Sequence, residues 1–111
     1  LEEYLKISDV VLLTLPITEE NYHIMDVDKL EKLKKGAILV NIARGAVVDA
    51  EALVSAVKKR LAGAVLDVFE EEPLNETDLL WDTENVIITP HNSIVGDGNH
   101  QRMLDVIFRN L

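Results

Sequence analysis

The chain has 111 residues, a length that suits one compact domain with a single hydrophobic core. Its hydrophobic fraction of 48% indicates a globular protein, and its formal net charge of −9 disfavours nucleic acids and anionic membranes, which bind basic surfaces. The absence of cysteine excludes disulfides and thiolate metal sites. No apolar run has the length of a membrane span and the first residues do not resemble a secretory signal, so we expect a cytoplasmic protein.

The first part of the chain predicts a helix, a strand and a second helix. A short helix is expected over Leu1–Ile7, and the apolar run Val10–Leu15 follows it as the first strand. Asp26 can cap a helix over Val27–Lys35, and Gly36 stands where a left-handed residue commonly ends a helix. The apolar residues of this helix recur at helical spacing, namely Val27, Leu30 and Leu33.

The middle of the chain continues the alternation of strands and helices. The run Ala37–Ile42 predicts a second strand, Asp49 can cap a third helix, and Ala64–Val68 predicts a third strand after Gly63. One face of the third helix is apolar and is formed by Ala52, Leu53, Ala56 and Val57. Strands that alternate with helices in this way predict right-handed βαβ units in a parallel sheet.

The last part of the chain differs in composition. The acidic segment Glu70–Asn85 predicts an ordered loop that is pinned by Trp81, and Val86–Thr89 predicts a fourth strand. An amphipathic helix is expected from Asn99 to the end, and its apolar face needs a partner; the face is formed by Met103, Leu104, Ile107, Phe108 and Leu111. The predicted fold is α/β, a partial Rossmann-like parallel sheet of about four strands with flanking helices. Both ends suggest a piece of a longer protein.

Polar side chains follow the predicted strands at the edge where open parallel sheets bind ligands. Arg44 follows the second strand, Asp67 and the run Glu70-Glu71-Glu72 come at the end of the third, and His91 follows the fourth. An arginine can bind a carboxylate through two parallel hydrogen bonds, and a histidine that is held by a glutamate can transfer a proton near neutral pH. Together they could bind a small carboxylic acid and move the proton of a neighbouring hydroxyl, although hydride transfer would require a cofactor.

Each candidate also has a structural interpretation. Arg44 could be an ordinary surface arginine and His91 a structural histidine, but their occurrence together favours the functional interpretation of both. For Glu70 and Glu71 a solvated acidic loop is favoured over a cation site, because a sequential run rarely provides fixed ligand geometry, and we predict no metal site. His23 has no comparable neighbours in the sequence and is expected to be a surface residue.

Four stretches of the chain resemble one known family when they are taken together. LTLPITEEN, LKKGAILVNIARGAVVD, GAVLDVFEEEPL and NVIITPHNS are similar, in this order, to the second half of the nucleotide-binding domain of the D-isomer-specific 2-hydroxyacid dehydrogenases. The resemblance extends from about Val10 to Ser93 and more loosely to the end. It implies that residues 1–111 form the second half of a dinucleotide-binding domain, without the Gly-rich phosphate loop and without the substrate domain.

The resemblance also implies roles for individual residues. Arg44 would bind the substrate carboxylate, His91 would act as the acid/base, and Glu72 would partner the histidine. The implied cofactor is NAD or NADP, and the substrate is a small 2-hydroxy or 2-oxo acid. Residues that would contact the cofactor are Leu15, Pro16, Ile42, Ala43 and Asp67.

The chain departs from the family in lacking a G-x-G-x-x-G loop, since its first glycine is Gly36 and Gly96-x-Gly98 is not followed by a third. We therefore expect weak or no binding of NAD(P) by this chain alone. The first hypothesis is a fragment of an NAD(P)-dependent oxidoreductase that is inactive alone. The alternative is a non-catalytic, corepressor-like or relic interaction module of the same fold. An exposed edge strand invites pairing with another chain, which predicts a homo-oligomer.

Overall fold

The computed structural model describes residues 1–93 and 95–110, apart from the side chain of residue 110. Within these residues, four helices and four strands form one α/β layer structure. The helices are α1 (Glu2–Ile7), α2 (Val27–Lys32), α3 (Ala50–Lys59) and α4 (Asn99–Asn110). The strands are β1 (Val10–Leu13), β2 (Ile38–Asn41), β3 (Gly63–Leu66) and β4 (Val86–Ile88). Short 3-10 turns occupy Glu19–Asn21 and Gly45–Val47.

All four strands are parallel and lie in the order β1-β2-β3-β4. This arrangement confirms the predicted fold class. At the carboxyl ends, Leu13 pairs with Asn41, Asn41 pairs with Leu66, and Leu66 pairs with Ile88. The segments that follow the four strands therefore leave the sheet at one common edge.

The hydrophobic core lies between the sheet and helices α2 and α3. Leu39 of β2, Leu30 of α2 and Leu53 of α3 are almost completely buried. The predicted apolar face of α3 is confirmed, because Ala52, Leu53, Ala56 and Val57 are all buried. The caps are confirmed as well: Asp49 accepts a hydrogen bond from the backbone N–H of Ala52 at 3.0 Å. The corresponding bond to Asp26 comes from the backbone N–H of Lys29, at 2.9 Å.

Helix α2 is shorter than predicted, because it ends at Lys32 rather than at Lys35. The guanidinium of Arg60 donates hydrogen bonds to the carbonyl oxygens of Glu31 and Leu33, so the last turn does not need to continue as a helix. Gly36 adopts the predicted left-handed conformation, with a φ of +82°, but it lies beyond the helix end. Val27 is 52% exposed and does not belong to the buried face.

The predicted strands extend one or two residues too far at their carboxyl ends. After β2, the side chain of Asn41 rather than a strand neighbour accepts the hydrogen bond of the Ala43 N–H group, at 3.1 Å. After β3, the backbone N–H of Asp67 donates to the Asn41 carbonyl at 3.0 Å. The side-chain bond from Asn41 ends the regular ladder after β2, and a bond of this kind is not visible in an apolar pattern.

The sequence predicts Trp81 as the anchor of the loop between β3 and β4. In the structure, the buried anchor of this loop is Leu80. Leu80 is 4% exposed, whereas Trp81 is 52% exposed. The indole N–H of Trp81 donates to the carbonyl oxygen of Asn75 at 2.9 Å, so the tryptophan braces the loop from outside. The loop is ordered as predicted, but its apolar anchor is the neighbouring leucine.

Helix α4 begins at Asn99, as predicted, and keeps its apolar face exposed. Phe108 is 71% exposed, and Met103 and Ile107 are each about half exposed. The predicted face also included Leu111, which lies outside the described residues. Within the described residues, no helix has both the length and the apolar character that crossing a bilayer requires.

Candidate active site

Arg44 lies in the turn after β2, and Asn41 shapes this turn. Asn41 is buried, and its Nδ2 donates a hydrogen bond to the Arg44 carbonyl oxygen at 3.0 Å. The Arg44 side chain is exposed, and its Nη1 donates to the Ala43 carbonyl oxygen at 2.6 Å. A guanidinium has five N–H donors, so several remain available for an anion. Asn41 is a site residue that has no role among the sequence-based predictions, although an asparagine at the end of an apolar run is typical of such turns.

Gly45 allows the Arg44 turn to lie directly against the segment after β3. A Cβ atom at position 45 would lie 1.9 Å from the carbonyl carbon of Phe69 and 2.2 Å from the backbone nitrogen of Glu70. Any other residue would push these two segments apart. The turn that carries Arg44 and the segment that leads to Glu72 are therefore in backbone contact.

Glu72 and His91 form the hydrogen-bonded pair that was predicted for the acid/base site. Oε2 of Glu72 is 2.7 Å from Nδ1 of His91, and Oε1 accepts the backbone N–H of Phe69 at 2.9 Å. The hydrogen bond from His91, followed by the bond from Phe69, lowers the pKa of Glu72 below its usual value. An ionised carboxylate only accepts hydrogen bonds, so Nδ1 of His91 carries the proton.

The hydrogen bond to Glu72 uses only one ring nitrogen of His91 and leaves the other one available. Nε2 has no hydrogen-bond partner among the described residues, and the side chain is 46% exposed. In the neutral ring this nitrogen is an acceptor, because Nδ1 holds the proton. The backbone of His91 has a φ of +52°, which is uncommon for a residue other than glycine. A conformation of this kind persists where the surrounding structure holds it.

Asp67 holds the loop that carries His91. The carboxylate is 1% exposed; Oδ1 accepts from the Thr89 hydroxyl and from the Asn92 N–H at 2.9 Å, and Oδ2 accepts from the Ser93 N–H at 2.8 Å. Burial alone would raise the pKa of Asp67, but these hydrogen bonds outweigh it and hold the pKa far below the usual range. The side chain is therefore ionised, and the structure explains its burial without a cofactor.

The other predicted cofactor contacts lie at the ends of β1 and β2. Leu15 is half-buried, while Pro16 and Ile42 are exposed. Ala43 is buried, so its side chain packs in the core and does not face the edge. The N–H of Ile42 donates to the Leu13 carbonyl at 3.4 Å, which keeps these strand ends side by side.

The sequence predicts that His23 and Glu70 are solvated surface residues, and the structure shows in addition that they bond to each other. Both remain partly exposed, but Nε2 of His23 is 3.0 Å from Oε2 of Glu70. Tyr22 donates its hydroxyl to Oε1 of the same carboxylate at 2.6 Å, and its ring stacks on His23 with centroids 4.1 Å apart. No local pattern signals this cluster, because its members are 47 and 48 residues apart in the sequence.

An apolar cavity of about 390 Å³ opens beside the Glu72–His91 pair. Its remaining walls are aromatic, proline and aliphatic side chains, namely Phe69, Pro73, Leu74, Trp81, Ile88 and Pro90. In the part of the chain that the structure describes, no group of three or more histidine and acidic side chains could hold a metal ion.

Comparison with known proteins identifies a family. Residues 1–93 match the profile of the D-isomer specific 2-hydroxyacid dehydrogenase, NAD binding domain. The whole chain is 46% identical to 33% of the glyoxylate reductase of Pyrococcus horikoshii, and 49% identical to an equal share of that of Thermococcus gammatolerans. The chain thus spans about a third of the length of the curated relatives it matches.

Solved structures agree with this match. A crystal structure of a Thermus thermophilus protein superposes with a TM-score of 0.87 at 46% identity, over 95% of this chain and 34% of the other. A D-isomer specific 2-hydroxyacid dehydrogenase from Xanthobacter autotrophicus Py2, in complex with NADPH and MES, gives a TM-score of 0.82 at 37% identity. That comparison covers 97% of this chain and 46% of the other. The chain therefore belongs to the D-isomer specific 2-hydroxyacid dehydrogenases, in the part that forms their NAD-binding domain.

Proposed function

We propose that this chain carries the substrate-binding arginine and the acid/base pair of an NAD(P)-dependent oxidoreductase that acts on a 2-hydroxy or 2-oxo acid. The hydrogen bond between Glu72 and His91, on the sheet edge where Arg44 also lies, is the observation that carries this proposal. The two curated relatives are named glyoxylate reductase, so glyoxylate is the first substrate to test.

Each residue has a defined task in the proposed reaction. The guanidinium of Arg44 binds the substrate carboxylate, which orients the neighbouring carbon and its oxygen. Nε2 of His91 accepts the hydroxyl proton during oxidation and returns it during reduction. Glu72 fixes the ring through Nδ1 and stabilises its protonated form. Bound NAD or NADP would supply the site that accepts or donates the hydride.

Kinetics of an intact relative with the same three residues tests this assignment. Replacing the histidine that corresponds to His91 with glutamine should lower kcat by about 10²–10⁴-fold, the usual contribution of general acid–base catalysis. Replacing the arginine that corresponds to Arg44 with lysine should mainly raise KM, because the bidentate carboxylate contact is lost. Unchanged turnover in the histidine variant would rule out the acid/base role.

Cofactor binding by the chain alone is a separate part of the proposal. Its glycines lie at 36, 45, 63, 96 and 98, and none forms a G-x-G-x-x-G loop to hold the pyrophosphate at a helix N-terminus. We expect NADH to bind no more tightly than about 1 mM, as against micromolar for a complete site. Titration calorimetry with NADH measures this directly, and a micromolar dissociation constant would contradict the expectation.

A second candidate function is that of an interaction module, and exposed apolar side chains favour it. On α1 and the edge strand β1, Tyr4, Ile7, Val10 and Leu12 are all more than half exposed. An unpaired strand edge with apolar neighbours favours association with a second copy of the chain. Light scattering at rising protein concentration should reveal a homodimer or a larger assembly, whereas a monomer at high concentration would contradict this candidate.

A further inference from the structure

We propose that Tyr22, His23 and Glu70 form a clamp that positions Glu72, and through it His91, relative to Arg44. The proposal rests on the function proposed for those three residues, and it assigns a positioning role to three others. We call Tyr22, His23 and Glu70 the Glu70 clamp. None of its members needs to touch the substrate.

The carboxylate of Glu70 is held by two donors from one side of the sheet edge. The Tyr22 hydroxyl donates to Oε1 at 2.6 Å, and Nε2 of His23 lies 3.0 Å from Oε2. The Tyr22 and His23 rings stack with an interplanar angle of 17°, so the side chains of the two donors are in contact with each other. The hydrogen bonds from Tyr22, which has the larger effect, and from His23 hold the pKa of Glu70 below its usual range, so the Glu70 carboxylate is ionised near neutral pH.

One side of the Glu70 clamp is tied to the turn that carries Arg44. The backbone N–H of His23 donates to the Ala46 carbonyl at 2.8 Å, and the N–H of Met25 donates to the Val47 carbonyl at 3.1 Å. His23 has a φ of +48°, a strained conformation for a residue with a side chain. The backbone hydrogen bond and the bond to Glu70 both hold the residue in that conformation.

The other side of the Glu70 clamp is tied to the acid/base pair. Glu70 is two residues before Glu72, and the N–H of Phe69 donates to Oε1 of Glu72 at 2.9 Å. Gly45 is in close contact with Phe69 and Glu70, and this contact fixes the distance between the Arg44 turn and the segment that carries Glu70. Fastening Glu70 therefore fixes the short segment from Phe69 to Glu72, and hence the carboxylate that holds His91.

Solution NMR of this chain, in the absence of any ligand, tests the Glu70 clamp. The pKa of Glu72 is followed by the ¹³C shift of its carboxyl carbon, and the amide exchange of Phe69 reports the bond to Glu72. The variants are Tyr22→Phe, which removes one hydroxyl and keeps the stacked ring, and Glu70→Gln. The matched control is Glu71→Gln, which removes the same charge from the adjacent, exposed glutamate.

The Glu70 clamp predicts that Tyr22→Phe and Glu70→Gln raise the pKa of Glu72 towards the usual glutamate value, because the bond to His91 loosens. The amide of Phe69 should exchange about 5–30-fold faster, the ratio for one or two kcal/mol. Glu71→Gln should change neither quantity. Circular dichroism verifies that each variant is folded, and Tyr22→Phe provides the test if Glu70→Gln is not.

Two results would overturn the proposal. The first is a Tyr22 pKa that is not raised in the unaltered chain, because its bond to Glu70 should raise it. The second is a folded Tyr22→Phe or Glu70→Gln protein in which the titration of Glu72 and the exchange of Phe69 are unchanged. These measurements use neither cofactor nor substrate, so they judge the Glu70 clamp separately from the kinetics that judge the proposed reaction.

Discussion

Replacing Asp67 with asparagine should destabilise the chain strongly and release the loop that carries His91. The carboxylate accepts three hydrogen bonds in a site that is 1% exposed, two of them from the backbone N–H groups of Asn92 and Ser93. The amide nitrogen of the new asparagine cannot accept a hydrogen bond from either N–H group. Since a hydrogen bond to a charged group contributes about 1.5–3 kcal/mol, the loss of at least one such bond and the stranded N–H should cost about 2–4 kcal/mol of the unfolding free energy.

Urea denaturation measures this cost conveniently, because Trp81 is the single tryptophan and its fluorescence reports unfolding. With an m value of about 2 kcal/mol/M, the midpoint of Asp67→Asn should fall by about 1–2 M. The control is Asp82→Asn, an exposed aspartate on the loop before β4, which should stay within about 0.5 kcal/mol of the unaltered chain. If Asp67→Asn were as stable as this control, the buried carboxylate would not hold the loop, and the reasoning would be refuted.

The remaining predictions concern Gly45, Leu80 and Glu72. Gly45→Ala should lower the free energy of unfolding by about 1–3 kcal/mol or more, because the new Cβ atom would overlap backbone atoms. The control is Gly96→Ala, whose Cβ atom would have no neighbour nearer than 4.0 Å and which should be nearly neutral in the same urea experiment. Leu80→Ala should lower the thermal midpoint more than Trp81→Ala, because truncating a buried leucine costs about 2–5 kcal/mol and Trp81 is half exposed. The reverse order in calorimetry would contradict the role of Leu80 as the loop anchor. The pKa of Glu72 is lowered in the folded chain, and this difference adds to the free energy of unfolding. The contribution is complete above the usual glutamate pKa of about 4.3. It is lost as the pH falls through the folded pKa, because the unfolded state then binds more protons. Glu72→Gln should therefore flatten the acid limb of the stability–pH curve, and an unchanged limb would show that the bond does not form in solution.

The architecture of this chain is readable from local patterns. Continuous β-branched runs, two aspartate caps and the apolar stripe of α3 all predict the elements that the structure contains. These patterns are local because strand burial and helix capping depend on residues within about one turn or one run. The parallel order of the strands then places Arg44, Glu72 and His91 near one edge, since the carboxyl ends of parallel strands coincide.

Contacts between distant segments were decided only by the tertiary structure. Glu72 and His91 are 19 residues apart, and His23 and Glu70 are 47 residues apart, so each hydrogen bond depends on sheet register and on loop paths. The family resemblance implied the first pair, but neither it nor the sequence pattern offered a reason to link the second. It also favoured Trp81 over its neighbour as the loop anchor, because a hydrophobic pattern records the size of a side chain and not the direction in which the folded backbone points it.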